Sequence, residues 1–208
     1  MALAASTPMG VGGSRFCYAS GEAPAESAYM GSFRRDFFER FGIFEEGSVR
    51  NQDDEFDGRV RKRGGSVWLA SAMKSVHSQN ETPWLLSKQY FQYGYYKVRI
   101  AALHPGMIRL GHVMPTSLVL ALAALAATAS FRPAAAALLF VLLAGNAGLS
   151  PAFGAREGAR DPEAWLLTPA ATLDLHLTYG SGFLAGLLAA LAGRTSGLKR
   201  PSRGIVAS

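Results

Sequence analysis

Cysteine is almost absent: Cys17 is the single thiol in 208 residues. That excludes an internal disulfide and any zinc site built from several thiolates. The N-terminus has neither a basic opening nor a continuous apolar core, so no secretory signal peptide is expected. No acid precedes Glu22, and charge is sparse across residues 113–193, where Ala and Leu dominate. Most of the charge sits in residues 1–112. The chain therefore divides into a polar part and a membrane-like part, and a mean hydropathy of +0.12 averages the two. Net charge is +6 and the isoelectric point is near 9.7. A basic chain with an apolar tail suits the anionic cytoplasmic face of a membrane. Nucleic acid is the other partner such a balance raises.

The best-marked stretch is Asn51-Gln52-Asp53-Asp54-Glu55-Phe56, continuing through Asp57-Gly58-Arg59-Val60-Arg61-Lys62-Arg63-Gly64-Gly65. It reads as a short helix with Asn51 as N-cap. Asp53, Asp54 and Glu55 then lie at the positive end of the helix dipole, and Arg61, Lys62 and Arg63 at the negative end. Gly64 is free to take the left-handed conformation that closes a helix. Two readings follow. One is a well-capped surface helix. The other is an acid facing a cleft as a general base, since adjacent acids raise each other's proton affinity towards the working pH. Arg59, Arg61, Lys62 and Arg63 are balanced by acids one turn earlier, which weighs against nucleic acid.

Elsewhere the signals are local. Gly10 to Phe16 reads as a flexible loop with Arg15 in it, either a plain connection or a phosphate contact, without the Lys-Ser/Thr ending of a P-loop. Ser27 to Phe33 reads as a short strand entering a turn, and Arg34 to Phe41 as a helix stopped by Gly42. Ser66 to Leu69 has the pattern of a buried strand. Val76-His77 ends another extended piece, with His77 either structural or a metal or phosphate contact. Thr82 to Arg99 reads as a helix crowded with Trp84, Tyr90, Phe91, Tyr93, Tyr95 and Tyr96, with Gln89, Gln92, Lys97 and Arg99 between them. Such a surface suits stacking on sugar rings, or the headgroup level of a membrane. Three apolar runs follow, His112–Ser130, Ala134–Pro151 and Leu166–Ala192, the last containing Asp174 and His176. Three full crossings would put Lys97, Arg99 and Arg109 on the opposite side from Lys199, Arg200 and Arg203, against the positive-inside bias.

Met30-Gly31-Ser32-Phe33-Arg34-Arg35-Asp36-Phe37-Phe38-Glu39-Arg40-Phe41-Gly42-Ile43-Phe44-Glu45-Glu46 resembles the segment that precedes the catalytic acid in family-2 glycosyltransferases of the GT-A fold. Asn51 to Phe56, Arg59, Arg61 and Gly64-Gly65 look like that family's acidic motif and its helix, and Ser66 to Leu69 like the strand after it. Gln89 to Arg99 and Leu175 to Phe183 resemble segments of membrane-anchored members that build bacterial exopolysaccharides. The fold this implies is α/β, a partial GT-A-like catalytic domain, followed by a helical transmembrane region. Residues 1–111 would be the acceptor-side half of the catalytic domain, 112–193 a membrane region of two to three helices, and 194–208 a basic tail. The implied location is the inner (cytoplasmic) membrane, multi-pass, with residues 1–111 cytoplasmic.

The resemblance further implies an inverting transfer from a nucleotide-sugar to a hydroxyl of a glycan or lipid-linked acceptor. Asp53 would be the base, with Asp54 and Glu55 beside it. Gly31, Arg34, Gln89, Gln92, Tyr95, Tyr96 and Arg99 would contact substrate. A divalent metal, Mg²⁺ or Mn²⁺, would neutralise the leaving diphosphate, with His77 a further candidate ligand. Two departures stand out. The family's Gln-x-x-Arg-Trp pattern becomes Gln92-x-x-Tyr95-Tyr96. Its nucleotide-binding βαβ region, ending in an Asp-x-Asp metal motif, has no counterpart before residue 29. A donor-binding partner or a longer reading frame is therefore expected, and little turnover from this chain alone. The alternative expectation is a non-catalytic membrane scaffold derived from such an enzyme.

Overall fold

The computed structural model describes residues 3–11, 14, 21–28, 31–45, 50–70, 72, 82–104, 106–156 and 162–193. A 3₁₀ turn at Ala4–Ser6 leads into α1 (Pro8–Val11), followed by β1 (Ala23–Ala25), α2 (Arg35–Phe41), α3 (Gln52–Lys62) and β2 (Val67–Leu69). Four longer helices complete the chain: α4 (Pro83–Leu103), α5 (Leu110–Ala129), α6 (Pro133–Arg156) and α7 (Pro162–Leu191). The expected α/β class is overturned. Among the described residues the only sheet is a two-stranded antiparallel pair, with Pro24 opposite Trp68. A GT-A-like domain needs parallel strands carried by βαβ crossovers, and the helices here pack on one another instead. Ser27 and Ala28 are not in the strand expected of them; the paired residues lie just before, at Ala23–Ala25. The Ser66–Leu69 strand forms, yet as an edge with Trp68 exposed, not as a buried strand.

Local chemistry explains the elements that formed as read. Gly42 ends α2 with φ 82° and Gly64 follows α3 with φ 81°, both in the left-handed region that costs other residues energy. Thr82 caps α4, its hydroxyl accepting from the Leu85 N–H at 3.3 Å, with Pro83 in the first turn.

The polar part has an aromatic core. Phe56 of α3 is fully buried, with its ring 5.1 Å from Phe33 and 4.8 Å from Phe44, and Phe37 and Phe38 beside them. Phe41 and Val60 close this cluster, so α2 and α3 are held together by rings. Offset and edge-on pairs of this kind add about 0.5–1.5 kcal/mol each beyond area burial.

α7 is the hub of the remainder, packed against α4, α5 and α6 and against the N-terminal turn. Its contact with α4 is backbone to backbone. Gly94 lies against the Tyr179 carbonyl and the Phe183 N–H, and Gly182 against the Phe91 carbonyl. The segments Gln89–Arg99 and Leu175–Phe183 therefore face each other. Ser87 donates to Asp174 at 2.7 Å, so that acid is bonded to protein within α7. Among the described helices α5 and α6 are long and apolar enough to cross a membrane: Leu110–Ala129 and Pro133–Ala152, 20 residues each, with mean hydropathy 1.8 and 1.7. Both are largely exposed.

A side chain at Gly94 must push two helices apart. Gly94→Val should lower the melting temperature in detergent and cost about 3 kcal/mol, the upper end for overpacking. Gly145→Ala, where an added methyl meets open space, should melt unchanged or slightly higher. Equal melting of Gly94→Val and the parent chain would remove the close-contact account.

Candidate functional site

α3 carries four acids, and the fold treats each differently. Glu55 is fully buried. Arg59, one turn on, donates to both its carboxylate oxygens at 3.0 and 2.9 Å, and His104 Nε2 lies 2.6 Å from Oε1. The same guanidinium donates to the carbonyls of Phe41 and Ile43 at 2.7 Å each and lies over the Phe56 ring. Glu55 and Arg59 thus clamp α3 to the end of α2. Neither serves chemistry at a surface: the expected catalytic neighbour Glu55 is a structural carboxylate, and Arg59 is not available to nucleic acid.

Asp54 forms an ion pair with Lys97 of α4, whose side chain is 6% exposed. Asp57 accepts from the Ala28 N–H at 2.8 Å, and burial pushes its carboxyl up to about 6 against that bond. Asp53 is half-buried. Among the described residues its carboxylate takes the Asp54 N–H at 2.9 Å and no cation pairs with it. Burial raises its pKa above the ordinary 3.8; the Asp54 charge adds to this, while backbone N–H groups and Lys97 oppose it.

The mouth of α3 docks on α4. Asn51 is not the side-chain cap expected: its φ is 61°, and its amide donates across to the Tyr93 carbonyl at 3.0 Å. Asn tolerates this left-handed backbone better than most residues. Arg50 donates to Gln92 Oε1 at 3.0 Å and sits over the Tyr93 ring. Of the residues expected to contact substrate, Gln92 is thus brought beside the acidic helix. Gln89 bonds the Tyr93 hydroxyl at 2.5 Å, and the Tyr95 and Tyr96 rings meet edge-on, 5.4 Å apart. Arg99 is half-buried, with its Nε shielded from solvent and without a hydrogen-bond partner. Gly31 and Arg34 stand apart: both are exposed, and Arg34 pairs with Asp36 at 3.2 Å. His77 and Arg15 lie outside the described residues.

A cleft of about 230 Å³ opens beside the Asp54–Lys97 pair, between α3, the 104–109 turn and the start of α5. Asp54, Gly58, Arg61 and Lys62 of α3 line it, one helical stripe, with Arg109 and His112 opposite. Asp53 lies one step round the helix and is not in its wall. The expected divalent metal finds no fit here. Asp54 and Glu55 are already bonded to cations, and no trio of His, Cys, Asp or Glu among the described residues is placed to hold an ion. Reading residues in order missed Lys97 as an ion-pair partner, His104 beside Glu55, and Asp57. The Glu55–Arg59 spacing of four was the one available signal.

No family model matches this chain, and neither any curated protein nor any solved structure shows significant similarity to it.

Removing one member of a buried pair leaves the other uncompensated. Glu55→Ala should cost about 3–5 kcal/mol, whereas a Glu55→Leu/Arg59→Met double replacement should recover much of it. Chemical denaturation of the two variants checks this; a mild Glu55→Ala effect would refute the clamp.

Proposed function

We propose that this chain is the acceptor-side and membrane-anchoring part of an inverting glycosyltransferase. The observation that supports it is the state of Asp53. Of four acids on α3 it alone lacks a cation or a distant backbone donor, and its proton affinity is raised. It sits at the end of α3 that docks on the tyrosine-rich helix, so the two segments resembling family-2 transferases lie side by side. In this reading Asp53 accepts the proton of an acceptor hydroxyl. The freed oxygen attacks the anomeric carbon of a nucleotide-sugar, and the nucleoside diphosphate leaves with the bonding pair. Tyr95 and Tyr96 offer ring faces for the acceptor glycan. The donor is held by a nucleotide-sugar-binding partner.

A base works only when deprotonated. Transfer of radiolabelled sugar by membranes carrying the chain and its partner should therefore fall as pH drops through a midpoint above 3.8. Asp53→Asn should reduce transfer about 10²–10⁴-fold. Undiminished transfer by Asp53→Asn would exclude it as the base. The second reading, a membrane scaffold without catalysis, is favoured by the structural engagement of Asp54, Glu55 and Asp57. Absence of transfer under every donor tested, with partner binding intact, would select it.

The proposed location is the inner membrane, with α5 and α6 as two crossings. Two crossings return the chain to its starting side, so Lys97, Arg99 and Arg109 share the cytoplasm with Lys199, Arg200 and Arg203, as the positive-inside bias asks. In a Cys17→Ser background, an impermeant maleimide should label Ser130→Cys in intact cells and Ser208→Cys only after lysis. Labelling of Ser208→Cys in intact cells would demand a third crossing.

A further inference from the structure

α7 meets the two apolar helices at one level. Three residues, Ser130 to Arg132, join α5 to α6, so the pair is an antiparallel hairpin. Gly180 of α7 lies against the Pro115 carbonyl of α5. Asn146 of α6 donates to the Pro169 carbonyl of α7 at 2.9 Å. Pro115 stands 14 residues before the end of α5 at Ala129, and Asn146 stands 13 residues after the start of α6 at Pro133. Both contacts therefore lie about 20 Å from the hairpin turn. Pro169 and Gly180 are eleven residues apart, about 16 Å of helix. α7 thus runs across the hairpin and not alongside either arm. The N-terminal turn fits this crossing. Ser150 of α6 donates to the Met9 sulfur at 3.6 Å, while His176 of α7 bonds the Met9 carbonyl at 2.8 Å. Were α6 and α7 antiparallel through the Asn146 contact, Ser150 would be level with Trp165 instead.

The faces of α7 agree with this course. At about 100° per residue, Leu166, Leu173, Leu177, Leu184, Leu188 and Leu191 fall on one stripe. Leu166, Leu188 and Leu191 are 81%, 67% and 85% exposed. The other three are half-buried. Gly182 and Gly186, which receive the Phe91 and Tyr95 carbonyls of α4, lie on the opposite side. α4 therefore sits on the side of α7 away from the leucines. The hydrocarbon core of a bilayer is about 30 Å thick. With the hairpin turn at one surface, a level about 20 Å in is about 10 Å from the other, the depth of an amphipathic helix at the headgroup–acyl boundary.

We propose that α7 lies along the membrane plane as an interfacial helix, in the leaflet where α5 starts and α6 ends, with its leucine stripe against acyl chains. This placement rests on α5 and α6 crossing the membrane, and not on the transfer chemistry.

The test uses the full chain with Cys17→Ser, reconstituted in vesicles of phosphatidylcholine and phosphatidylglycerol, with one nitroxide-labelled cysteine at a time. Collision with oxygen against collision with a water-soluble nickel chelate reads the depth of each label. Leu166→Cys, Leu177→Cys and Leu188→Cys should share one depth to within about 5 Å, one helical turn. Trp68→Cys, on the exposed strand pair, should be open to the chelate. Leu120→Cys, midway along α5, should be the deepest. In a crossing helix Leu177→Cys would lie about 16 Å deeper than Leu166→Cys, and that profile would overturn the placement. Should Leu177→Cys fail to fold, Ala170→Cys, at an exposed position of the same face, replaces it. It should be level with Leu166→Cys, where a crossing would set it about 6 Å deeper. Labels on α7 as open to the chelate as Trp68→Cys, with Leu120→Cys still deep, would overturn the placement alone. A Leu120→Cys label open to the chelate would remove the crossings themselves, and the placement with them.

Discussion

Two backbones touch where α4 crosses α7, and the rest of the molecule hangs from that contact. Gly94 and Gly182 each present no side chain to a carbonyl of the other helix. The approach is closer than any Cβ permits, so the two helices exchange many small dispersion contacts over a long interface. α4 is thereby fixed to the apolar half, and it becomes the platform on which α3 sits. Without it the acidic helix would have no fixed relation to α5 and α6.

Charge then decides what each face of α3 does. Acids adjacent in sequence point about 100° apart around a helix, and the fold supplies a different environment at each bearing. Glu55 points into the core and is met by Arg59 and His104. Asp54 points across to Lys97. Asp57 points at the Ala28 backbone. Asp53 is left to burial, which raises its proton affinity, and to a backbone N–H, which opposes that rise without cancelling it. The cationic cleft is a consequence of the same arrangement. α3 turns Arg61 and Lys62 towards the start of α5.

Some helix limits were legible in the residues because they are set by local chemistry, while α4 and α6 run on to Leu103 and Arg156, past the Arg99 and Pro151 expected. Gly42 and Gly64 stop their helices, Thr82 and Pro83 start α4, and Phe131-Arg132-Pro133 separates α5 from α6. The division into polar and apolar parts was legible for the same reason: composition along a window is a local property. The α/β expectation was not met, because likeness to a family's acidic motif carried with it a sheet that these residues do not build. The third apolar run, read as a possible crossing, forms α7, the helix on which α4, α5 and α6 pack; that role was not legible, since apolar surface buried against protein and apolar surface facing lipid look alike in a sequence.

The sequence by itself determined the limits set at Gly42, Gly64, Thr82 and Pro133, and that four acids and several bases share one helix. Only the tertiary structure decided which acid is neutralised, which is buried and which remains available. Those outcomes depend on partners far along the chain, above all Lys97 of α4 for Asp54. Such pairs form only when packing has brought two helices within a few ångströms, and no local pattern of residues records that distance.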